Sequence, residues 1–186
     1  MIVVSPFSTQ RNRNGTIDYN LRDESDIRQY VHFVLKGNKT RRPLYSTARG
    51  FRAYPSNSND IVNEILTIQQ LYNKLSGLRV RGLVIAVSKD ELSAPFESQQ
   101  IIRIADRFSD CIFLNGFQTS YGIFDMGACY EIYYAINTVS FVNGMKFHQN
   151  NTDILAMQQL CAETVVAEVT GRFLQQPFNF DSLEYA

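Results

Sequence analysis

The sequence contains few histidines and cysteines and no long apolar run. Its two histidines, His32 and His148, stand far apart and lack the paired spacing of a metal site. Its three cysteines are widely spaced and odd in number, which argues against a secreted disulfide framework or a CxxC zinc site. No segment approaches the ~18 consecutive apolar residues of a membrane span. We therefore expect neither a disulfide scaffold nor a membrane protein.

Length and composition predict a single domain that spans residues 1–186. Of the 186 residues, 45% are hydrophobic and 19% charged, which is enough apolar material for one sizeable core. The first residues lack the basic region and the long apolar run of a secretory leader. We therefore expect a cytoplasmic protein with no membrane partner. The order of the tail, from about residue 175, stays open.

The net charge is zero, but the charges are segregated along the chain. Residues 1–90 hold 14 basic against 7 acidic residues, whereas residues 91–186 hold 4 against 11. Within the first half, residues 27–59 contain no acid, and aromatic residues are interleaved with the basic ones. This mixture suits single-stranded nucleic acid, because cations meet phosphates and aromatic faces stack on bases.

The candidate nucleic-acid contacts are basic and aromatic residues of the first half. They are Arg11, Arg13, Lys39, Arg41, Arg42, Tyr45, Arg49 and Arg52. The first two lie in a polar stretch, up to about residue 16, whose composition predicts a loop. The alternative interpretation is that these side chains form a solvated face, or neutralise the acidic half of the chain, for example within a dimer.

Apolar periodicity predicts an alternation of strands and helices. Helices are predicted over residues 26–35, 59–77, 93–109 and 153–173, and strands over residues 2–6, 78–88, 111–114, 118–124 and 129–141. Asn59 or Asp60 is the predicted cap of the second helix, which ends near Gly77. Residues 36–49 are expected to form a loop or a short strand pair. This order predicts an α+β fold, with a largely antiparallel sheet that helices cover mainly on one side.

The most informative pattern is a pair of β-rich runs within residues 118–141. A short glycine-containing break joins them, so they predict a β-hairpin. Because side chains alternate across a sheet, Cys129, Glu131 and Tyr133 share one face. Phe124 is expected beside them on the neighbouring strand. Such a grouping has the geometry of a site.

The same segment resembles the hallmark motif of plasmid-type relaxase and mobilization nucleases. In that family, three histidines of this motif hold a divalent metal, and an asparagine and a Gly-Lys-Lys-Phe segment follow. Here Phe124, Glu131 and Tyr133 stand at the histidine positions. Asn137 and the Gly-Met-Lys-Phe segment of residues 144–147 match the flanking pattern. The segment therefore matches the residues that flank the metal ligands in the motif, but it lacks the ligands themselves.

Further similarity lies upstream of this motif. Residues 15–19, Gly-Thr-Ile-Asp-Tyr, are similar to the family segment with the nucleophilic tyrosine, and residues 81–91 look like its central strand. The resemblance covers roughly residues 10–175 and implies a relaxase-like, HUH endonuclease-like palm. In that family the tyrosine attacks a DNA phosphate that the metal polarises, since a hydroxyl with a pKa of about 10 is a poor nucleophile. Tyr19 is the matching candidate, and a structural or stacking role is its alternative.

The residues at the family metal positions do not assemble an ordinary three-ligand site. Glu131 offers one carboxylate, Tyr133 a weak ligand and Phe124 none. We therefore expect no bound metal and no other cofactor.

Two further interpretations of Glu131 remain. In the preferred one, it is an inward carboxylate that pairs with Arg79 or Arg81. In the other, it joins Cys129 and His148 in an atypical site for a divalent metal.

The sequence thus predicts a relaxase-like domain of a plasmid or mobile-element mobilization system. We expect it to lack nicking activity and to retain binding to single-stranded DNA, to other mobilization proteins or to a second copy. One alternative is an active metal-dependent strand transferase that uses Tyr19 with an atypical metal site. Another is an accessory interaction protein with no nucleic-acid role, whose oppositely charged halves drive self-assembly or docking on a true relaxase.

Overall fold

The computed structural model describes residues 3–5, 20–92 and 94–147, together with residues 159, 163, 164, 166–168 and 170 of the C-terminal part. The predicted loop before residue 16, the tail from residue 175 and most of the helix predicted over residues 153–173 lie outside this part. The described residues between 159 and 170 are helical.

Strands and helices alternate along the described part of the chain. The strands are β1 (Val3–Ser5), β2 (Asn20–Leu21), β3 (Tyr45–Arg49), β4 (Val80–Ser88), β5 (Thr119–Asp125) and β6 (Cys129–Asn137). The longer helices are α1 (Glu24–Lys36), α2 (Ser58–Leu71) and α3 (Glu97–Leu114), and a short 3-10 helix covers Lys89–Glu91.

The strands form one antiparallel sheet. Its order is β1-β4-β6-β5-β3, and β2 also pairs with β4. The two central strands pair along their whole length, from Val80 opposite Asn137 to Ser88 opposite Cys129. The predicted α+β class with an antiparallel sheet is confirmed.

Helices cover both faces of the sheet, because alternate residues of the central strands enter two different cores. Ile85 of β4 and Ile132 of β6 point into the core that α3 covers. Val84 and Ala135 point to the opposite face, into the core that α1 and α2 cover. Odd-numbered and even-numbered residues are both buried along β4 and β6, as expected for strands that are covered on both faces. The prediction of a sheet covered mainly on one side is therefore wrong.

Residues 111–114 form the end of α3 and not the predicted strand. Phe108 and Ile112 are both buried, and their spacing of four residues places them on one face of the helix. The apolar run is short, so its composition alone fits a strand equally well, and only its position against the sheet makes it helical.

Helix α2 begins and ends earlier than predicted. Its cap is Asn57, whose side chain accepts a hydrogen bond from the backbone N–H of Asp60. The helix ends at Leu71, because Asn73 adopts a left-handed backbone conformation with φ of 53°. Leu75, which the predicted bounds include in the helix, lies beyond its end and is exposed.

Within the described residues, no helix combines the length and the apolar character needed to cross a membrane.

Helix α1 lies unusually close to strand β5, at Gly122. A Cβ atom on Gly122 would lie 1.9 Å from the backbone oxygen of Val34. Ser46 of β3 adds a second contact to this turn, because its hydroxyl donates a 3.0 Å hydrogen bond to the backbone oxygen of Leu35. The missing side chain of Gly122 therefore allows α1 to pack directly on the sheet.

The substitution Gly122→Ala is expected to displace α1 and to lower the free energy of unfolding by about 1–3 kcal/mol, the usual cost of overpacking. Urea denaturation measures this change. The matched control is Ser120→Ala on the same strand face, where the buried hydroxyl has no partner among the described residues. Equal stability of the two variants would contradict the close contact.

Candidate functional site

Phe124, Glu131 and Tyr133 meet on one face of the β5–β6 hairpin, as their alternation predicts. Phe124 lies directly opposite Glu131 in the antiparallel register. The hydroxyl of Tyr133 donates a hydrogen bond of 2.6 Å to Oε2 of Glu131. The carboxylate of Glu131 is therefore held by a neighbour on its own strand.

Phe33 of helix α1 forms an aromatic cluster with Phe124 and Tyr133. The rings of Phe33 and Phe124 are stacked, with centroids 5.1 Å apart and an interplanar angle of 14°. Tyr133 meets both rings edge-on, at centroid distances of 5.1 Å and 5.2 Å. Phe124 is only 1% exposed and Tyr133 8%. The aromatic cluster is thus part of the core between the sheet and α1, and not the lining of an open cavity.

Neither Arg79 nor Arg81 pairs with Glu131, so the preferred interpretation of this carboxylate is wrong. Glu131 lies opposite Ala86, which is five residues, or about 17 Å, along β4 from Arg81. Arg79 is farther away, and its Nε donates a 2.8 Å hydrogen bond to Oε1 of Gln69. The register places these bases toward the other end of the strand.

Asn137, the family asparagine, is fully buried in a network of side-chain amides at the end of β6. Its Nδ2 donates a 2.9 Å hydrogen bond to Oε1 of Gln118, and its Oδ1 accepts a 3.0 Å hydrogen bond from Nε2 of Gln69. The backbone N–H of Val139 also donates to this oxygen. Asn137 therefore links helix α2 to the ends of two strands, a structural role that its burial requires.

The Gly-Met-Lys-Phe segment lies at this same end of the sheet and shapes the turn beyond β6. Gly144 has φ of +70°, and a Cβ there would lie 2.2 Å from the ring of Tyr72. Nζ of Lys146 donates a hydrogen bond to the backbone oxygen of Ser76. The ring of Phe147 packs edge-on against a neighbouring ring at 5.7 Å. The flanking part of the motif is thus distant from Glu131.

An open groove with a basic lining lies between the end of α1 and the start of β3. It encloses about 990 Å³. Its lining residues are His32, Leu35, Lys36, Gly37, Asn38, Lys39, Arg42, Pro43, Leu44, Tyr45 and Ser46. Leu35 lines this basic groove and also belongs to the buried core that contains Phe124, so the groove adjoins the core of the aromatic cluster.

The loop from α1 to β3 is a compact turn that presents its basic side chains outward. Gly37 ends the helix with φ of +74°. The side-chain oxygen of Asn38 then accepts hydrogen bonds from the backbone N–H groups of Thr40 and Arg41, at 3.0 Å and 2.8 Å. Lys39, Arg41 and Arg42 are exposed. Within the described residues, Lys36, Lys39 and Arg42 form no ion pair, so their charges are available to a ligand.

Arg49 lies on the other face of the sheet, although the sequence grouped it with these bases. Its guanidinium contacts Asp106 at 2.7 Å and Asp110 at 2.9 Å, both on helix α3. The hydroxyl of Tyr121 donates a 2.7 Å hydrogen bond to the same Asp106. Burial, together with this hydrogen bond, raises the pKa of Tyr121. Arg49 therefore joins β3 to α3, and its charge is largely neutralised.

A further candidate contact, Arg52, does not line the basic groove. Arg52 is exposed, and its backbone N–H donates a 3.0 Å hydrogen bond to Glu64 of α2. Arg11, Arg13 and Tyr19 lie outside the described residues. Their proposed roles stay predictions.

The comparison with known families agrees with this arrangement. The family model described as "Relaxase: MobA/VirD2-like, nuclease domain" matches residues 19–167, which is most of the chain. The chain belongs to this relaxase family. No curated protein and no solved structure matches it significantly.

The side chains that stand where the resemblance puts metal ligands do not fit a divalent metal. The ring of Phe124 has no donor atom, and the hydroxyl of Tyr133 already donates to Glu131. Within the described residues, no three side chains of His, Cys, Asp or Glu lie close enough together to hold a metal ion. His148 lies outside the described residues, so the atypical site with Cys129 stays a prediction.

Three residues of the aromatic cluster and the basic groove are not among the site residues that the sequence-based prediction names. Phe33 is the third ring of the aromatic cluster, and His32 and Lys36 extend the basic groove along α1. The sequence could have predicted the groove, because Gly37 ends the helix and more basic residues and a β-rich run follow it directly. No comparable signal exists for Phe33, because its contact with Phe124 depends on how α1 lies on the sheet.

The substitution Phe124→Ala is expected to lower the free energy of unfolding by about 3–5 kcal/mol, since it empties a buried ring position. Thermal and urea denaturation measure this loss. The matched control is Tyr54→Ala, at a ring that is 81% exposed. A loss no larger than that of the control would show that Phe124 lines an open site.

Proposed function

We propose that this relaxase domain serves a plasmid or mobile-element mobilization system in the cytoplasm by binding single-stranded DNA, without nicking activity of its own. The supporting observation is the basic groove beside the three substituted metal positions. The frame of a DNA-processing domain is thus combined with a cationic surface, while the catalytic positions are occupied by core side chains.

The basic groove has the chemistry that a single strand requires. Lys36, Lys39 and Arg42 supply positive charge to phosphates, and their charges are not neutralised within the described residues. The ring of Tyr45 lies on the α3 face of the sheet, 6.1 Å from that of Tyr121, but the residue is 38% exposed, and a base can stack on the exposed part of the ring. The groove is open along one side, which suits an extended chain rather than a small enclosed ligand.

The aromatic cluster supports the absence of nicking. A tyrosine hydroxyl with a pKa of about 10 needs a strong electrophile at the scissile phosphate, and imidazole-bound metal supplies this in the family. Here the corresponding side chains are packed against each other and against α1. A shift of these rings to admit a metal would expose buried apolar surface and disrupt the contact of α1 with the sheet.

Binding to labelled single-stranded DNA is expected to be lost in the variant Lys39→Glu with Arg42→Glu, because two phosphate contacts become repulsive. Fluorescence anisotropy at low salt measures the affinity. Tyr45→Ala is expected to weaken binding by about 1–3 kcal/mol if a base stacks on this ring.

The matched control for this variant is Arg22→Glu with Lys74→Glu, which changes the net charge equally at two exposed positions outside the basic groove. The control variant should bind as the parent protein does. An equal loss in both variants would reduce the effect to net charge and reject the groove as the binding surface. No binding by the parent protein would favour the accessory-protein function.

Tyr19 is expected to form no covalent adduct with single-stranded DNA, even when Mn²⁺ or Mg²⁺ is supplied. Denaturing gels detect such an adduct as a shifted band. The informative comparison is a variant with histidine at positions 124, 131 and 133, which restores the family ligand types and is expected to gain metal binding if it folds. A shifted band in the parent protein that disappears in Tyr19→Phe would establish nicking chemistry.

A further inference from the structure

The two ends of strand β4 carry opposite charge. One end, which we call the basic end, consists of residues 71–79, 114–118 and 138–147. The other, the acidic end, consists of residues 89–92 and 94–97 together with Asp125. Segments from several elements meet at each end because β6 and α3 both run antiparallel to β4.

The basic end has a concentration of exposed apolar side chains. Five of the ten large apolar side chains that are exposed in the described residues lie there, namely Leu71, Leu75, Leu114, Val142 and Met145. Direct contacts hold their segments together. The hydroxyl of Tyr72 donates a 3.2 Å hydrogen bond to the backbone oxygen of Val142. The backbone N–H of Phe141 donates a 2.9 Å hydrogen bond to the backbone oxygen of Gly116. A grouped apolar surface of this kind is typical of a protein interface.

Positive charge surrounds these apolar side chains. Lys74, Arg79 and Lys146 lie in the segments of the basic end, which contain no acidic residue. Partial burial, followed by the charges of Lys74 and Arg79, lowers the pKa of Lys146. The three cations therefore repel one another, and a negatively charged partner surface would relieve that repulsion.

The acidic end has the complementary composition. It contains four acids and one base, and Lys89 is already bound by Asp125 at 2.8 Å. Asp90 is exposed, and Glu97 begins helix α3. Phe96, beside Glu97, is 55% exposed. The acidic end thus presents an apolar ring that is surrounded by acidic residues. The basic end presents apolar side chains that are surrounded by basic residues.

We propose that copies of this chain associate head to tail, with the basic end of one copy against the acidic end of the next. The two ends are separated by the nine residues of β4, or about 30 Å, and they face in opposite directions along the strand. Contacts between two different surfaces leave one surface unused at each end of a growing assembly, so they produce open chains, or larger rings where the rotation closes, rather than closed dimers. This association does not depend on DNA binding.

Sedimentation velocity over a range of protein concentrations tests the proposal. The sedimentation coefficient of the parent protein is expected to rise with concentration, beyond that of a dimer, and to fall again at high salt. Two variants block one end each: Leu71→Ser with Lys74→Gln at the basic end, and Phe96→Ser with Asp90→Asn at the acidic end. Each pair of changes should weaken association by about tenfold or more, since a central apolar contact is lost. All four side chains are exposed, and circular dichroism with thermal melting verifies folding.

Mixing the two blocked variants gives the decisive result. Each variant alone should remain monomeric, whereas an equimolar mixture should form a dimer and nothing larger, because one intact basic end then meets one intact acidic end. A parent protein that is monomeric at all concentrations would overturn the proposal. A mixture that stays monomeric would also overturn it, as would a blocked variant that dimerises alone.

Discussion

The contact between helix α1 and Gly122 of strand β5 determines the position of both the aromatic cluster and the basic groove. The backbone of Val34 approaches the strand so closely that no side chain fits between them. This contact places Phe33 on Phe124 and directs the last turn of α1, with His32 and Lys36, toward the start of β3. The aromatic cluster and the basic groove are thus two consequences of one backbone contact, and a shift of α1 would alter both.

Residues of the family frame that the structure describes stabilise the fold. Asn137 satisfies the buried amides of Gln69 and Gln118, and Gly144 lets the turn beyond β6 pack on Tyr72. These requirements persist whether or not a metal binds. Phe124 and Tyr133, which stand where the resemblance puts metal ligands, fill the space between the sheet and α1. Apolar rings fill it well, because they bury large areas without leaving a polar group unsatisfied.

Segregated charge in this neutral chain has different roles at different places. Arg49 is bound by two aspartates of α3 and joins an edge strand to the core. Lys39 and Arg42 project from a compact turn, and no acid of the described part of the chain pairs with them, so their field extends into the groove. The charges at the two ends of β4 accompany exposed apolar side chains, which favours contact with protein there. The same residue type thus serves packing in one place and, in our proposals, nucleic-acid binding or assembly in others, according to its neighbours.

The sequence alone determined the α+β class, the hairpin and the common face of Glu131 and Tyr133, because alternation along a strand is a local property. It also determined the family, since the motif frame is contiguous. The tertiary structure decided what local patterns leave open: the burial of both sheet faces, the helical state of residues 111–114, the partner of Glu131 and the division of the bases between groove and core. Each of these depends on register or on helix placement, which join residues that are distant in the chain. For this reason Arg49 and Lys39, ten residues apart in one basic segment, have unrelated roles.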